Sequence, residues 1–168
     1  MDLSGRRING LRARDVVFTE CDLAGAYFGG SCTMTRVQFE GCRLTGVILA
    51  GAELTDVVIQ RGTVELASFR DAALTRFWCV DAPLREADFS EARLRDCAFL
   101  DCDLSGAEFR SAMASGVSLH GSRIDGIRSA GALGKELSID AEQIIPLGQA
   151  LVAELGPAVT DRPDDMRP

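Results

Sequence analysis

The sequence predicts an all-β solenoid, a fold in which short repeats wind around one shared apolar core. An apolar side chain, large in most units, falls on every fifth position from Met34 to Ile124. Two positions before each of them lies a small residue with equal regularity, and Phe77 is the one large exception. Neither the 3.6-residue period of an α-helix nor the two-residue period of a flat strand has this spacing. A five-residue unit with two inward positions is typical of a repeat whose core is closed by its neighbours.

The five-residue units themselves carry a known pattern. The segments A-D-F-S-E (87–91), A-R-L-R-D (92–96), C-D-L-S-G (102–106) and A-E-F-R-S (107–111) match A-(D/N)-L/F-x-x. The chain therefore resembles the pentapeptide-repeat family over residues 11–126. The resemblance implies a right-handed quadrilateral parallel β-helix with four pentapeptides per turn, which gives about six coils over this length.

Twenty residues per turn can be tested on the sequence, because residues twenty apart must then stack. Leu49, Phe69, Phe89 and Phe109 would form one inward ladder. Phe77 occupies a small site, and Cys79, two residues later, is small where a large residue is the rule. Since interiors are close-packed, this exchange supports the stacking. The register slips by one residue at Gly29-Gly30-Ser31, which we expect to form a corner with one extra residue.

The ends of the chain lack the regular repeat. Residues 1–10 are expected to form an irregular N-terminal cap, because Arg6 lies at a small site. Residues 127–156 read as a linker and a C-terminal helical cap, and the polar segment 157–168 as a disordered tail. Asp140 to Gln143 has the pattern of a capping box that opens a helix, and Pro146 is expected to interrupt it. A second short helix would run from Leu147 to Leu155.

The apolar side of this C-terminal segment is expected to cover the last coil, which would otherwise expose an unpaired edge. Self-association through the same side, giving a homodimer, is the further expectation that the family resemblance suggests. The residues concerned are Ile144, Leu147, Leu151, Val152 and Leu155.

The composition narrows the class of protein. The chain is long enough for one domain with a substantial core, and it carries a formal net charge of −7. No segment has the pattern of a signal peptide or a membrane span, so a cytoplasmic location is expected. The six cysteines lie at inward sites and are expected to act as small buried hydrophobes. No metal and no cofactor is predicted, because the cysteines lack metal-ligand spacing and no catalytic motif is present. His120, the only histidine, is expected to point outward, so we expect no enzyme.

The first functional hypothesis is that the chain mimics DNA. Some members of the resembled family, the quinolone-resistance and mycobacterial gyrase-binding types, are acidic rods that occupy the DNA site of type II topoisomerases. This chain lacks long inserted loops and looks more like the loop-free type. The resemblance implies DNA gyrase or topoisomerase IV as partner, with modulation of the enzyme or protection from fluoroquinolones, and with no direct contact to nucleic acid or membrane. The candidate acidic residues are Asp81, Glu86, Asp88, Glu91, Asp101, Asp103 and Glu108.

Charge magnitude weighs against mimicry by the whole surface. Residues 11–126 contain 17 Asp or Glu and 12 Arg, a net charge of −5. A DNA duplex as long as the expected rod, about 29 Å, would carry about 17 negative charges. Only part of the surface could therefore imitate DNA, and the acidic residues could equally serve to keep the rod in solution.

The second hypothesis is a general protein-interaction scaffold unrelated to topoisomerases. Stacking places four outward apolar residues beside each other, and contiguous exposed apolar area commonly marks an interface. These residues are Val58, Trp78, Val80 and Leu100. Two alternatives stay open from the sequence: the C-terminal helices could fold back over this patch, or two copies could pair through it.

Overall fold

The chain forms a four-sided parallel β-helix with a short helical segment at its C-terminal end. The computed structural model describes residues 1–134 and 136–156. A seven-stranded parallel sheet bends across two sides of the spiral, and a two-stranded sheet pairs its first turns. The strands are β1 (Arg7–Asn9), β2 (Arg12–Thr19), β3 (Tyr27–Gly29), β4 (Thr33–Glu40), β5 (Glu53–Gln60), β6 (Ala73–Val80), β7 (Arg93–Arg95), β8 (Ala98–Leu100) and β9 (Met113–Ser115). Two 3-10 helices, Ala130–Leu133 and Ala141–Gln143, precede the helix α1, Ile144–Leu155.

The pairing of the strands confirms the twenty-residue turn. β4 pairs with β5 so that Met34 lies beside Leu54, and β5 pairs with β6 so that Leu54 lies beside Leu74. Between β2 and β4 the offset is twenty-one residues, as the pairing of Phe18 with Phe39 shows. The extra residue is absorbed at the corner where Gly30 and Ser31 both have left-handed backbones, with φ of 59° and 53°.

The five-residue period is the distance from one corner of the spiral to the next. A residue with φ between about 49° and 70° recurs every five positions from Gly5 to Gly126, apart from the extra residue at the slip. Glycine or a short polar side chain occupies most of these corners, since both tolerate the left-handed region. Leu66, with φ of 57°, is the one large apolar residue at a corner.

The interior is a column of side chains stacked turn upon turn. The rings of Phe69, Phe89 and Phe109 lie parallel, with successive centroids 5.0 Å apart and interplanar angles of 4° and 6°. Every fifth side chain from Met34 to Ile124 is buried, except Ala114, which is partly exposed. The prediction that every fifth side chain points inward is therefore confirmed. The outward side chains do not contribute to this core and can serve other roles.

The N-terminal residues 1–10 are not the irregular cap that we expected. β1 pairs with β3, which places Ile8 beside Phe28, and Asp2 bridges to Asp22 on the next turn. Arg6 does occupy a small site, but its side chain is exposed. Among the residues that the structure describes, no turn packs on the outer side of the first one, so this side chain can leave the core without breaking the backbone ladder.

The C-terminal boundary also differs from the expectation. Arg128 bridges to Glu108 and Ser138 to Ser118, so the residues that we read as a linker continue the stacking of the spiral. Pro146 does not interrupt a helix, because it is the third residue of α1, where backbone N–H groups have no partner within the helix. The predicted capping box is present: the backbone N–H of Asp140 donates to Gln143 Oε1 at 2.8 Å. The predicted tail, 157–168, lies outside the described residues.

The described helices are short. None of them has the length and the apolar character that a crossing of a lipid bilayer requires.

Candidate protein-binding site

One side of the spiral presents an apolar surface, which we call the Trp78 face. It consists of the outward residues Val58, Trp78, Ala98, Val80 and Leu100. Trp78 pairs with Val58 on one side and Ala98 on the other, and Val80 pairs with Leu100. The structure therefore brings together the four apolar residues selected from the sequence. Trp78 is 50% exposed, whereas Val58, Val80 and Leu100 are half-buried.

The C-terminal segment does not cover the Trp78 face, so that alternative is wrong for the described residues. α1 packs instead on the end of the spiral, against the two 3-10 helices. Ala150 is buried there, and the Glu154 carboxylate accepts hydrogen bonds from the backbone N–H groups of Ala130 and Gly131. Trp78 lines a shallow cavity of about 200 Å³ together with Asp56, Val58 and Arg76.

The corner on one edge of the Trp78 face is a ladder of alternating charges. Arg36 donates two hydrogen bonds to Asp15, at 2.5 and 2.7 Å. Two turns further along the spiral, Arg76 donates two hydrogen bonds to Asp56, at 2.5 and 2.9 Å. The Arg76 hydrogen bond lowers the pKa of Asp56. Two-pronged pairs of this kind fix the planar guanidinium group, so the edge next to Trp78 is ordered.

The corner on the opposite edge of the Trp78 face is acidic. Asp81 and Asp101 stack there on successive turns, and both are exposed. Glu86 follows at the next corner. Among the described residues none of these three carboxylates has an arginine or lysine nitrogen within 4.0 Å. Their charge is therefore not compensated by a direct contact.

The other four acidic residues selected from the sequence are ion-paired. Arg70 lies 3.3 Å from Asp88 and 3.8 Å from Glu91. Arg85 lies 3.4 Å from Asp103, and Arg128 lies 3.5 Å from Glu108. The seven carboxylates thus spread over two adjacent sides of the spiral with arginines between them. They do not form one continuous negative surface.

The helix α1 carries a second apolar surface, which we call the α1 strip: Ile144, Ile145, Leu151, Val152 and Leu155. All five are exposed, Ile145 by 71% and Leu155 by 82%. Of the residues selected from the sequence for this segment, only Leu147 turns partly toward the core. Glu154 is the only charged side chain of α1, and it faces the end of the spiral. The α1 strip is therefore free of charge.

All six cysteines are buried and unpaired by disulfides. Burial raises the pKa of Cys32 and Cys97 to about 11, so neither thiol ionises near neutral pH. Within residues 1–134 and 136–156, no cluster of three or more His, Cys, Asp or Glu side chains could hold a metal ion.

One polar cluster in the last turn was missed from the sequence. His120 Nδ1 lies 2.8 Å from Asp140 Oδ1, and His120 Nε2 lies 2.8 Å from Ser138 Oγ. Gln143 Nε2 donates to the carbonyl oxygens of Leu119 and Ser122, each at 2.6 Å. The sequence does contain a sign of this cluster, because Asp140 lies twenty residues, or one turn, after His120.

These features define the class of protein as a four-sided parallel β-solenoid with a helical end segment. A model of the family described as pentapeptide repeats matches eight copies, at residues 32–71 and 87–126. The chain belongs to the pentapeptide-repeat family. The stretch between the two matched regions contains Phe77 and Cys79, where the large and the small site are exchanged.

Three solved structures illustrate what the fold is similar to. Full-length QnrB1, described as a plasmid-mediated fluoroquinolone resistance protein, is 18% identical with a TM-score of 0.41, covering 93% of this chain and 97% of QnrB1. Rfr23 from the cyanobacterium Cyanothece 51142 is 14% identical with a TM-score of 0.41, covering 83% and 91%. The thylakoid-lumen protein AT2G44920 from Arabidopsis thaliana is 21% identical with a TM-score of 0.26, covering 89% and 75%. No curated protein matches the chain.

Proposed function

We propose that the chain is a binding protein that docks on a protein partner through the Trp78 face. The observation that carries this proposal is the half-exposed Trp78 at the centre of an apolar surface. In the three turns around it, the outward positions hold Val58, Gln60, Trp78, Val80, Ala98 and Leu100, none of them charged. Tryptophan is enriched among the residues that dominate binding energy, and an apolar surface with polar edges is typical of an interface.

The edges of the Trp78 face indicate the chemistry of the partner. An apolar pocket of the partner would receive the Trp78 ring, because half of this side chain is exposed. A lysine or arginine of the partner would face Asp81 and Asp101, whose charge is uncompensated among the described residues. The backbone ladders of β5, β6 and β8 hold the face in place, so binding costs little ordering of this chain.

Site-specific photo-crosslinking tests the Trp78 face. A photoreactive residue at Gln60, on this face, should give a defined crosslinked partner in cells. The same residue at Thr75, half-buried on the neighbouring side, should give none. Trp78→Ala should remove the Gln60 product, as read by mass spectrometry of the purified adduct. A Gln60 product that persists in Trp78→Ala, or equal products from both positions, contradicts the proposal.

A second candidate is a type II topoisomerase, DNA gyrase or topoisomerase IV, bound through DNA mimicry. It is favoured by the uncompensated carboxylates of Asp81, Glu86 and Asp101, which could occupy sites for DNA phosphates. Arginines neutralise the four other acidic candidates, so mimicry would be confined to this ridge. The protein would then modulate the enzyme or protect it from fluoroquinolones.

A gyrase supercoiling assay distinguishes the two candidates. Mimicry predicts inhibition of supercoiling by the purified protein, or protection from a fluoroquinolone, and weakening of that effect by the double change Asp81→Asn and Asp101→Asn. Trp78→Ala should then leave the effect unchanged. An effect that Trp78→Ala removes, whether or not the double change weakens it, would identify gyrase as a partner of the Trp78 face. No effect on gyrase rejects the mimicry candidate.

We propose in addition that two copies associate through the α1 strip. The five exposed apolar side chains carry no charge, and a two-fold pair of helices would bury both strips at once. Sedimentation velocity should show a dimer that Leu155→Glu converts to a monomer. Ala153→Glu adds the same charge on another side of α1 and should leave the dimer intact. A wild-type monomer at micromolar concentration contradicts this proposal.

A further inference from the structure

The last turn of the spiral holds a serine, a histidine and an aspartate in a continuous chain of hydrogen bonds. Ser138 Oγ lies 2.8 Å from His120 Nε2, and His120 Nδ1 lies 2.8 Å from Asp140 Oδ1. A carboxylate only accepts hydrogen bonds, so Nδ1 must carry the proton of the neutral ring. Nε2 is then the free acceptor, and the hydroxyl of Ser138 must donate to it. This is the tautomer that a general base needs.

The backbone holds each member of the chain in place. Ser138 bridges to Ser118 in the sheet ladder, and its N–H donates to the carbonyl of Val117 at 2.8 Å. Asp140 Oδ2 accepts the N–H of Gly121 at 2.5 Å, while Oδ1 accepts the histidine. The N–H of Asp140 donates to the Gln143 side chain, which itself is anchored on the last turn. The carboxylate is therefore oriented by contacts on both sides.

A nucleophile, a base within hydrogen-bond distance and a third group that orients the base form the general arrangement for nucleophilic catalysis. The electrostatics agree with it, since the Gly121 N–H and His120 lower the pKa of Asp140. His120 is 45% exposed by side chain, which leaves it accessible to a substrate.

We propose that Ser138 is an activated nucleophile that accepts an acyl group from an ester. Ser138 Oγ forms a bond to the acyl carbon, its proton passes to His120 Nε2, and the ester C–O bond breaks. The proton then passes from Nε2 to the leaving alkoxide, which departs as the alcohol. Water attacks the acyl-serine by the same route, returning Ser138 and releasing the carboxylic acid, so no further reagent is consumed.

The surroundings indicate an apolar acyl group. Ser138 lies in the same outward row as Trp78 and Ala98, and His120 follows Leu100 by one turn. Ala98 lies two turns from Ser138, about 10 Å at the spacing of parallel strands. An alkyl chain on Ser138 Oγ that is long enough to cross the intervening turn would lie against Leu100 and Ala98 on the Trp78 face.

Covalent labelling of the full chain tests the proposal. An alkyl fluorophosphonate should add once per chain, with loss of fluoride, and mass spectrometry should place the adduct on Ser138. Ser138→Ala and His120→Gln should abolish the adduct. Asp140→Asn should slow its formation at least tenfold. Ser115→Ala, an exposed serine on another side of the spiral, should leave labelling unchanged.

The hydrolysis of p-nitrophenyl butyrate gives a second readout. Hydrolysis by the wild type should be at least about tenfold faster than by His120→Gln, because the imidazole acts as the general base. Thermal unfolding of each variant separates a loss of folding from a loss of reactivity. No adduct on Ser138 of the folded wild type, or a hydrolysis rate that His120→Gln leaves unchanged, overturns the proposal.

Discussion

The ring of Phe77 meets the ring of Phe69 edge-on, with centroids 5.6 Å apart and planes at 65°. One turn earlier, the position that stacks on Phe77 holds Val57, and the position that stacks on Cys79 holds Ile59. A large side chain at one inward site is thus matched by a small one two residues later, so each turn fills a similar volume.

A double-mutant cycle tests this compensation. Phe77→Val leaves a cavity, and Cys79→Ile overpacks the turn, so each single change should cost about 1–3 kcal/mol of unfolding free energy. The double variant copies the Val57–Ile59 turn. Its loss of unfolding free energy should therefore be smaller than the sum of the two single losses by at least about 1 kcal/mol. Chemical denaturation measures all four proteins. Additive losses would show that the two sites do not share space.

The corners should be sensitive to a single methyl group where the backbone is left-handed. Gly51 and Gly148 both have open space where a Cβ would lie, but only Gly51 has a left-handed φ, of 67°. Gly51→Ala should therefore cost about 1–2 kcal/mol. Gly148→Ala lies inside α1 and should stabilise by about 0.5–1 kcal/mol. Equal effects of the two changes in thermal unfolding would contradict the assigned corner.

The cysteines should resist thiol reagents in the folded protein. All six are buried, and burial raises the pKa of Cys32 and Cys97 to about 11, so thiolate is scarce at pH 8. A chromogenic disulfide reagent should find no reactive thiol in the native protein and all six in denaturant. Rapid reaction of the native protein would place a thiol at the surface.

The C-terminal end of the spiral, where Asp140 lies, should lose stability in acid. Its Asp140 has a pKa below the usual value, first because it accepts the Gly121 N–H and then because of His120. The stabilisation from this carboxylate is present above about pH 4 and is lost as the pH falls through the lowered pKa. The melting-temperature difference between wild type and Asp140→Asn should therefore shrink in acid. Asp125→Asn, exposed in the same turn, controls for the loss of one charge, and a difference that does not change with pH contradicts the role of Asp140.

The fold was predictable from the sequence because one physical rule repeats along the chain. Side chains such as Leu74, Phe89 and Leu104 are inward in every turn, so the five-residue period and the slip at Ser31 could be read from spacing. The twenty-residue turn was implied by the family resemblance, and the spacing allowed it to be tested. The rule failed only at the two ends of the described spiral, where a turn packs on one other turn instead of two. There Arg6 can leave the core, and after Ile124 the buried large side chains, Ile127 and Leu133, no longer fall on the central positions of the five-residue repeat.

The sequence predicted where the outward side chains lie, but it did not predict which of them form ion pairs. Stacking placed Val58 beside Trp78 correctly. The neutralisation of Asp88 by Arg70 depends on side-chain conformation across neighbouring turns and sides, which spacing does not determine. The cluster of His120, Ser138 and Asp140 was missed because the repeat was taken to end at Ile124. Carried one turn further, the same stacking places Asp140 over His120.

The burial of every fifth side chain is the claim on which all the proposed surfaces depend. Phe89 is fully buried, whereas Leu66, at a corner of the preceding turn, is 58% exposed. The most direct test compares the unfolding free energies of Phe89→Ala and Leu66→Ala. Phe89→Ala should cost about 3–5 kcal/mol, from lost burial and a cavity, and Leu66→Ala less than about 0.5 kcal/mol. A cost below about 1 kcal/mol for Phe89→Ala would contradict the inward assignment.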